Sequence, residues 1–165
     1  MLVLIIITFG ILSRVVLHTP NFTPVLALAL FGGMYLKGRQ AIWVPLALMM
    51  VSDLMIGFHD SMLFTWGSIF VISLVGIWLK AYKNWVNVAA VSVISSIFFF
   101  LVTNFGAFLS LYPQTWVGLQ ECYIAAIPFY RSTLVSTVAY SLVLFFAWEF
   151  LLSRRENPLL AKVLK

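Results

Sequence analysis

Five residues of this 165-residue chain have types and positions that could do chemistry together: Arg14, Asp53, Asn104, Glu121 and Arg131. Each lies in or beside a hydrophobic segment, and threading those segments alternately through a bilayer brings all five to a similar depth beneath one face. A guanidinium, a carboxylate and an amide at one depth can grip a polar or anionic solute. The same groups can instead pair among themselves, Arg14 with Asp53 and Arg131 with Glu121, and so pin helices together. An unpaired ionisable group at such a depth costs at least about 2.5 kcal/mol, so each must face the bundle interior, pair, or meet a ligand. Clustering under one face favours a solute, because ion pairs that serve only packing need no common depth. His18, Asn21 and Tyr112 stand in the flanking segments, where the entrance to such a pocket is expected.

The elements that must position these residues follow from composition. With 63% hydrophobic, 16% aromatic and only 9% charged residues, the chain cannot cover a soluble surface with polar groups and reads as an integral membrane protein. Apolar runs predict six helices near 2–17, 24–36, 40–57, 62–80, 86–106 and 131–152, an all-α, polytopic six-helix bundle in one domain over 1–165. The second is short for a span and must tilt or borrow length from its flanks. At about 1.5 Å per residue, Arg14 lies roughly 20 Å along the first helix and Asp53 roughly 18 Å along the third. Asn104 closes the fifth helix and Arg131 opens the sixth on the same side. The first run has no basic residue ahead of it and no small-residue cleavage pattern after Ser13, so it is expected to be a span rather than a signal peptide.

Orientation follows from the loops. Lys37, Arg39, Lys80, Lys83, Arg154, Arg155, Lys162 and Lys165 share one side, and only Arg14 and Arg131 lie on the other. The positive-inside rule makes the first side cytoplasmic, with both termini there, and the net charge of +5 becomes a collar facing anionic lipid rather than a nucleic-acid surface. Glu149, at the inner end of the last helix near Arg154 and Arg155, is expected to be a capping or paired charge.

Two segments interrupt the helical pattern on the outer side. His18-Thr19-Pro20-Asn21-Phe22-Thr23-Pro24 is a stiff loop that can wall or cover a pocket. Further on, Thr115 suits a helix N-cap, and residues 116–127 predict a short helix on the outer surface before Pro128 redirects the chain. Trp116, Tyr123, Phe129 and Tyr130 suit the interfacial aromatic belt. Small residues recur at four-residue spacing in Ala29/Gly33, Ser92/Ser96, Ser132/Ser136 and Thr133/Thr137/Ser141, which permits close helix approach. Pro45 is placed to kink the third helix and open room toward Asp53.

Catalytic signals are weak. Cys122 with His18 or His59 could be drawn as a thiol and imidazole pair, yet one cysteine and two histidines without a surrounding motif favour a packing residue and a solvated His59-Asp60 turn. The histidines show no metal or haem spacing. No enzyme activity, metal or cofactor is expected.

His18-x-Pro20-Asn21-Phe22-x-Pro24, Ala27-x-Ala29-Leu30-Phe31-Gly32-Gly33, Ser52-Asp53-Leu54, Thr103-Asn104-Phe105-Gly106, Tyr112-Pro113 and Cys122-Tyr123-x-Ala125-Ala126-x-Pro128-Phe129-x-Arg131 together resemble an uncharacterised bacterial family of transport-type membrane proteins. The match covers nearly the whole chain from Arg14 to Glu149. That family is in turn similar to the substrate-binding S components of energy-coupling factor (ECF) vitamin transporters. The resemblance implies six helices, cytoplasmic termini, a short first loop over the ligand, an outward pocket, and an energising module of one transmembrane scaffold and two ATPases. No G-x-x-x-x-G-K-[ST] phosphate loop occurs, so ATP hydrolysis would belong to partners. The Ala-x-x-x-Ala docking pattern of S components is absent, since residues 1–17 contain no alanine, and a solitary carrier stays open.

The expectation is therefore a multi-pass protein of the bacterial inner membrane that binds a small solute of the vitamin or cofactor-precursor class. Arg14, Asp53, Asn104, Glu121 and Arg131 would be its polar contacts, and His18, Asn21 and Tyr112 its entrance. The alternative is a non-transporting structural or assembly subunit, because S-component-like architecture is also similar to that of a rod-shape-determining subunit.

Overall fold

The computed structural model describes residues 2–16 and 21–156. They form six helices: α1 (Leu2–Val16), α2 (Val25–Tyr35), α3 (Gln40–Ile56), α4 (Met62–Leu79), α5 (Trp85–Leu111) and α6 (Trp116–Glu156). There is no strand among the described residues. Three of the helices, Met62–Leu79, Trp85–Leu111 and the Trp116–Arg154 part of α6, are long and apolar enough to cross a membrane.

Helix α2 is the axis of the bundle. It packs against all five other helices, and residues Val25 to Met34 are all buried. Its uncharged sequence of Ala, Leu, Val and Gly explains this: small side chains let neighbours approach, and large apolar ones fill the spaces between them. At 11 residues α2 is about 16 Å long, and a helix enclosed by protein has no need to match a bilayer's thickness. Its closest neighbour is α4. A Cβ placed on Gly33 would sit 2.7 Å from Gly76 Cα, so the two backbones touch through paired glycines. On its other side, Gly32 accepts Pro45 of α3, and a Cβ there would lie 3.0 Å from Pro45 Cγ. Pro45 is thus fully buried in that contact.

Helix ends carry recognisable stops. Asn84 caps α5 by accepting the Asn87 backbone N–H at 2.9 Å, and Thr115 Oγ1 accepts the Gly118 N–H at 3.1 Å to start α6. Gly57, with φ of 123°, ends α3 and turns the chain toward His59.

The largest departure from expectation lies in α6. The separate surface helix anticipated over 116–127 is the first part of one 41-residue helix that runs through Pro128. A proline missing its N–H still permits helix on both sides when the preceding turn tolerates the ring, and α5 packs along α6 to hold it. At about 60 Å, α6 is twice the thickness of a hydrocarbon core.

The helices alternate in direction. Residues late in α1, α3 and α5 meet residues early in α4 and α6 around one cavity, and Tyr35, Lys83 and Glu149 meet at the opposite end. Glu149 accepts a hydrogen bond from Tyr35 at 2.7 Å and pairs with Lys83, whose ammonium lies 4.9 Å from the centre of the Tyr35 ring. Its partners are therefore on α2 and the α4–α5 turn rather than Arg154, which stacks over Phe150.

Candidate functional site

The site begins with Arg14, near the end of α1. Its Nη1 lies 2.7 Å from Asp53 Oδ1, donates to Ser52 Oγ at 2.7 Å, and reaches Met49 Sδ. These three partners sit at positions 49, 52 and 53 of α3, the spacing that brings side chains to one helix face. The two hydrogens of Nη1 are directed at Ser52 and Met49, so the contact with Asp53 Oδ1 is a charge pairing without an aligned hydrogen bond, and that oxygen has no other partner. Asp53 is fully buried, and its second oxygen accepts the Trp66 indole N–H at 2.7 Å. Arg14 Nε and Nη2 make no bond to any described residue, which leaves three N–H donors on a guanidinium whose charge Asp53 already balances.

Arg14 forms part of the wall of a cavity of about 240 Å³. Asn21, His59, Thr65, Thr103, Asn104 and Thr133 supply further polar wall, and Phe99, Phe100, Phe129 and Tyr130 supply aromatic faces. The hydroxyls of Thr103 and Thr133 donate to the carbonyls four residues earlier, at 2.8 and 3.1 Å, so each turns only acceptor capacity to its surroundings. Asn104 Nδ2 likewise donates to Phe100 O at 2.7 Å, which leaves its second N–H and its oxygen. Phe100 and Tyr130 pack with ring centres 4.8 Å apart and fasten α5 to α6 beside the cavity.

The expected site residues divide accordingly. Arg14, Asn21 and Asn104 line the cavity, and Asp53 stands behind Arg14. Tyr112 lines a neighbouring crevice of about 160 Å³ between α5 and α6, which shares Asn104, Ala126 and Phe129 with the cavity. His18 lies outside the described residues. Glu121 and Arg131 are exposed, and neither is among the residues of these walls or in an ion pair among the described residues. The alternative of a pair between them is not realised, because ten residues of one continuous helix separate them by about 15 Å. A chain redirected at Pro128 could have brought them together; a straight-through helix cannot.

Several residues of the wall and of the Arg14–Asp53 cluster behind it were not foreseen. His59 was read as part of a solvated turn; it is exposed to solvent on one side and lines the cavity on the other, with Nδ1 3.0 Å from Ser61 Oγ. Trp66 and Thr65 carry no local signal beyond a polar atom in an apolar run, and Thr133 was read only as one of a row of small packing residues. Met49 could have been found from α3 periodicity, since it precedes Asp53 by four residues, and Ser52 from its place three residues after Met49. Cys122 is buried and its thiol lies 3.4 Å from the backbone oxygen of Asn104, the contact of a packing residue.

Fold and site together define an all-α protein with three helices fit to cross a membrane and a polar, aromatic-walled cavity at one end of its bundle. The chain belongs to the DUF6580 family, a family of unknown function, whose profile matches residues 1–160. Comparison with curated proteins and with solved structures gives no match.

Proposed function

We propose that this protein is a multi-pass carrier of the bacterial inner membrane that captures a small solute from the outer side, in the manner of an ECF S component. In this reading all six helices cross or insert in the bilayer, both termini are cytoplasmic, and the first turns of α6 stand beyond the hydrocarbon. The solute is a planar, anionic or zwitterionic molecule of the vitamin or cofactor-precursor class. The ECF energising module is the partner considered, with solitary action as the alternative.

The observation that carries the reading is Arg14 itself. A guanidinium held by Asp53, Ser52 and Met49 through one nitrogen, with its remaining donors on a cavity wall and bonded to none of the described residues, is arranged for a further oxygen ligand. A pair used only to pin α1 to α3 would gain from engaging the whole planar fork. Four aromatic rings in the same wall suit a flat molecule, and a few convergent polar groups beside aromatic faces are the usual composition of a small-molecule site.

The test is solute depletion. Cells that overproduce the protein are compared, by untargeted mass spectrometry of the medium, with cells producing Arg14→Lys, which keeps the charge beside Asp53 and loses the planar fork. Faster removal of one solute by the wild type alone supports the carrier. Equal depletion profiles contradict it.

A further inference from the structure

The cavity beside Arg14 is small. At about 240 Å³ it falls below the range of roughly 300–1,000 Å³ usual for drug-sized ligands, so a ligand that fills it either is very small or continues elsewhere. The crevice between α5 and α6 offers the continuation. It adjoins the cavity through Asn104, Ala126 and Phe129, and its remaining wall is Ala107, Leu111, Tyr112, Cys122 and Ala125. Ala107 of α5 and Ala125 of α6 keep it open, and apart from the Tyr112 hydroxyl and the Asn104 amide its side chains are apolar or, for the Cys122 thiol, weakly polar. Asn104 stands at the junction, with its amide tied to Phe100 O and its own backbone oxygen accepting the thiol of Cys122.

We infer that the crevice is a second subsite of the same binding site and takes an apolar extension of the ligand, so that the solute is an amphiphilic carboxylate. Its carboxylate meets Arg14 Nε and Nη2, its ring lies among Phe100, Phe129 and Tyr130, and its aliphatic end passes Asn104 to lie between Ala107 and Ala125. The inference rests on the carrier reading above. It adds the chemical class of the ligand's far end and the residues that select it.

The test uses the full chain in lipid nanodiscs and a series of benzoate, 4-ethylbenzoate and 4-butylbenzoate, with empty nanodiscs subtracted and affinity read by calorimetry. Each methylene lodged in an apolar subsite is expected to strengthen binding by about fourfold. Ala125→Leu and, independently, Ala107→Leu fill the crevice from opposite helices and should reduce that gain to within twofold across the whole series. Arg14-dependent binding of benzoate with no gain along the series, or with the same gain in both leucine variants, overturns the second subsite and leaves the carrier reading standing. Failure of every member to bind the wild type overturns the inference, while the carrier reading stands or falls by the solute-depletion comparison.

Discussion

Arg14 Nη1 lies 2.7 Å from Asp53 Oδ1, and the carboxylate of this pair is fully buried between α1, α3 and Trp66 of α4. Truncating Arg14 leaves a buried charge without its partner. Arg14→Ala should therefore lose about 3–5 kcal/mol of stability, and Arg14→Met combined with Asp53→Leu far less. Denaturant or thermal unfolding of the purified protein without added solute checks this through a double-mutant cycle. A double variant as unstable as Arg14→Ala would show that the pair does not set the penalty.

Trp66→Phe keeps an aromatic ring at the position but removes the pyrrole part of the indole and with it the N–H that Asp53 Oδ2 accepts at 2.7 Å. The expected loss is about 1–3 kcal/mol, smaller than that of Arg14→Ala because the charge pairing survives. The same unfolding assay measures it, and a neutral result would mean that water replaces the indole.

The α2–α4 crossing depends on glycine. Gly33→Ala puts a methyl 2.7 Å from Gly76 Cα, where only backbone can move, and should cost about 1–3 kcal/mol. At Gly67 of the same helix α4 an added Cβ meets nothing within 4 Å, so Gly67→Ala should be neutral or stabilise by up to about 1 kcal/mol. Melting temperatures of the two variants should move in opposite directions or differ clearly in size.

Much of this was legible in the sequence, and the parts that were not have physical causes. Helix positions came from apolar runs that a bilayer or a core demands, and Arg14 with Asp53 came from the cost of burying charge. The continuity of α6 was hidden because Pro128 and the polar residues near 120 are ordinary signals of a turn. Glu121 and Arg131 were consequently placed together, and the structure leaves both exposed. His59 was missed because a loop residue's approach to a cavity is decided by the Gly57 turn and by packing against α5, neither of which has a local periodicity.

That difference yields a direct contrast. Asn104→Ala should reduce capture of the solute at least tenfold, because Asn104 lines both the cavity and the crevice. Arg131→Ala should change it by less than twofold, because Arg131 is exposed and contributes to neither wall. Retained solute per mole of purified protein is the readout, and equal losses would place the site nearer Arg131.

The opposite end of the bundle should behave as a clamp. Tyr35→Phe removes a hydrogen bond to a carboxylate and should cost about 1.5 kcal/mol, whereas Lys83→Met removes a pair whose side chains are 33% and 35% exposed and should cost under about 1 kcal/mol. Raising the salt concentration should narrow the effect of Lys83→Met and leave that of Tyr35→Phe nearly unchanged.

The central claim is that the cavity beside Arg14 holds a small solute. Native mass spectrometry of the protein released gently from its own membranes, followed by extraction of bound small molecules, tests it most directly. A discrete bound mass in the wild type, lost in a folded Arg14→Lys protein, is the predicted result. A wild type that arrives empty, or that carries only other protein subunits, would contradict the carrier and point to a structural member of a membrane assembly.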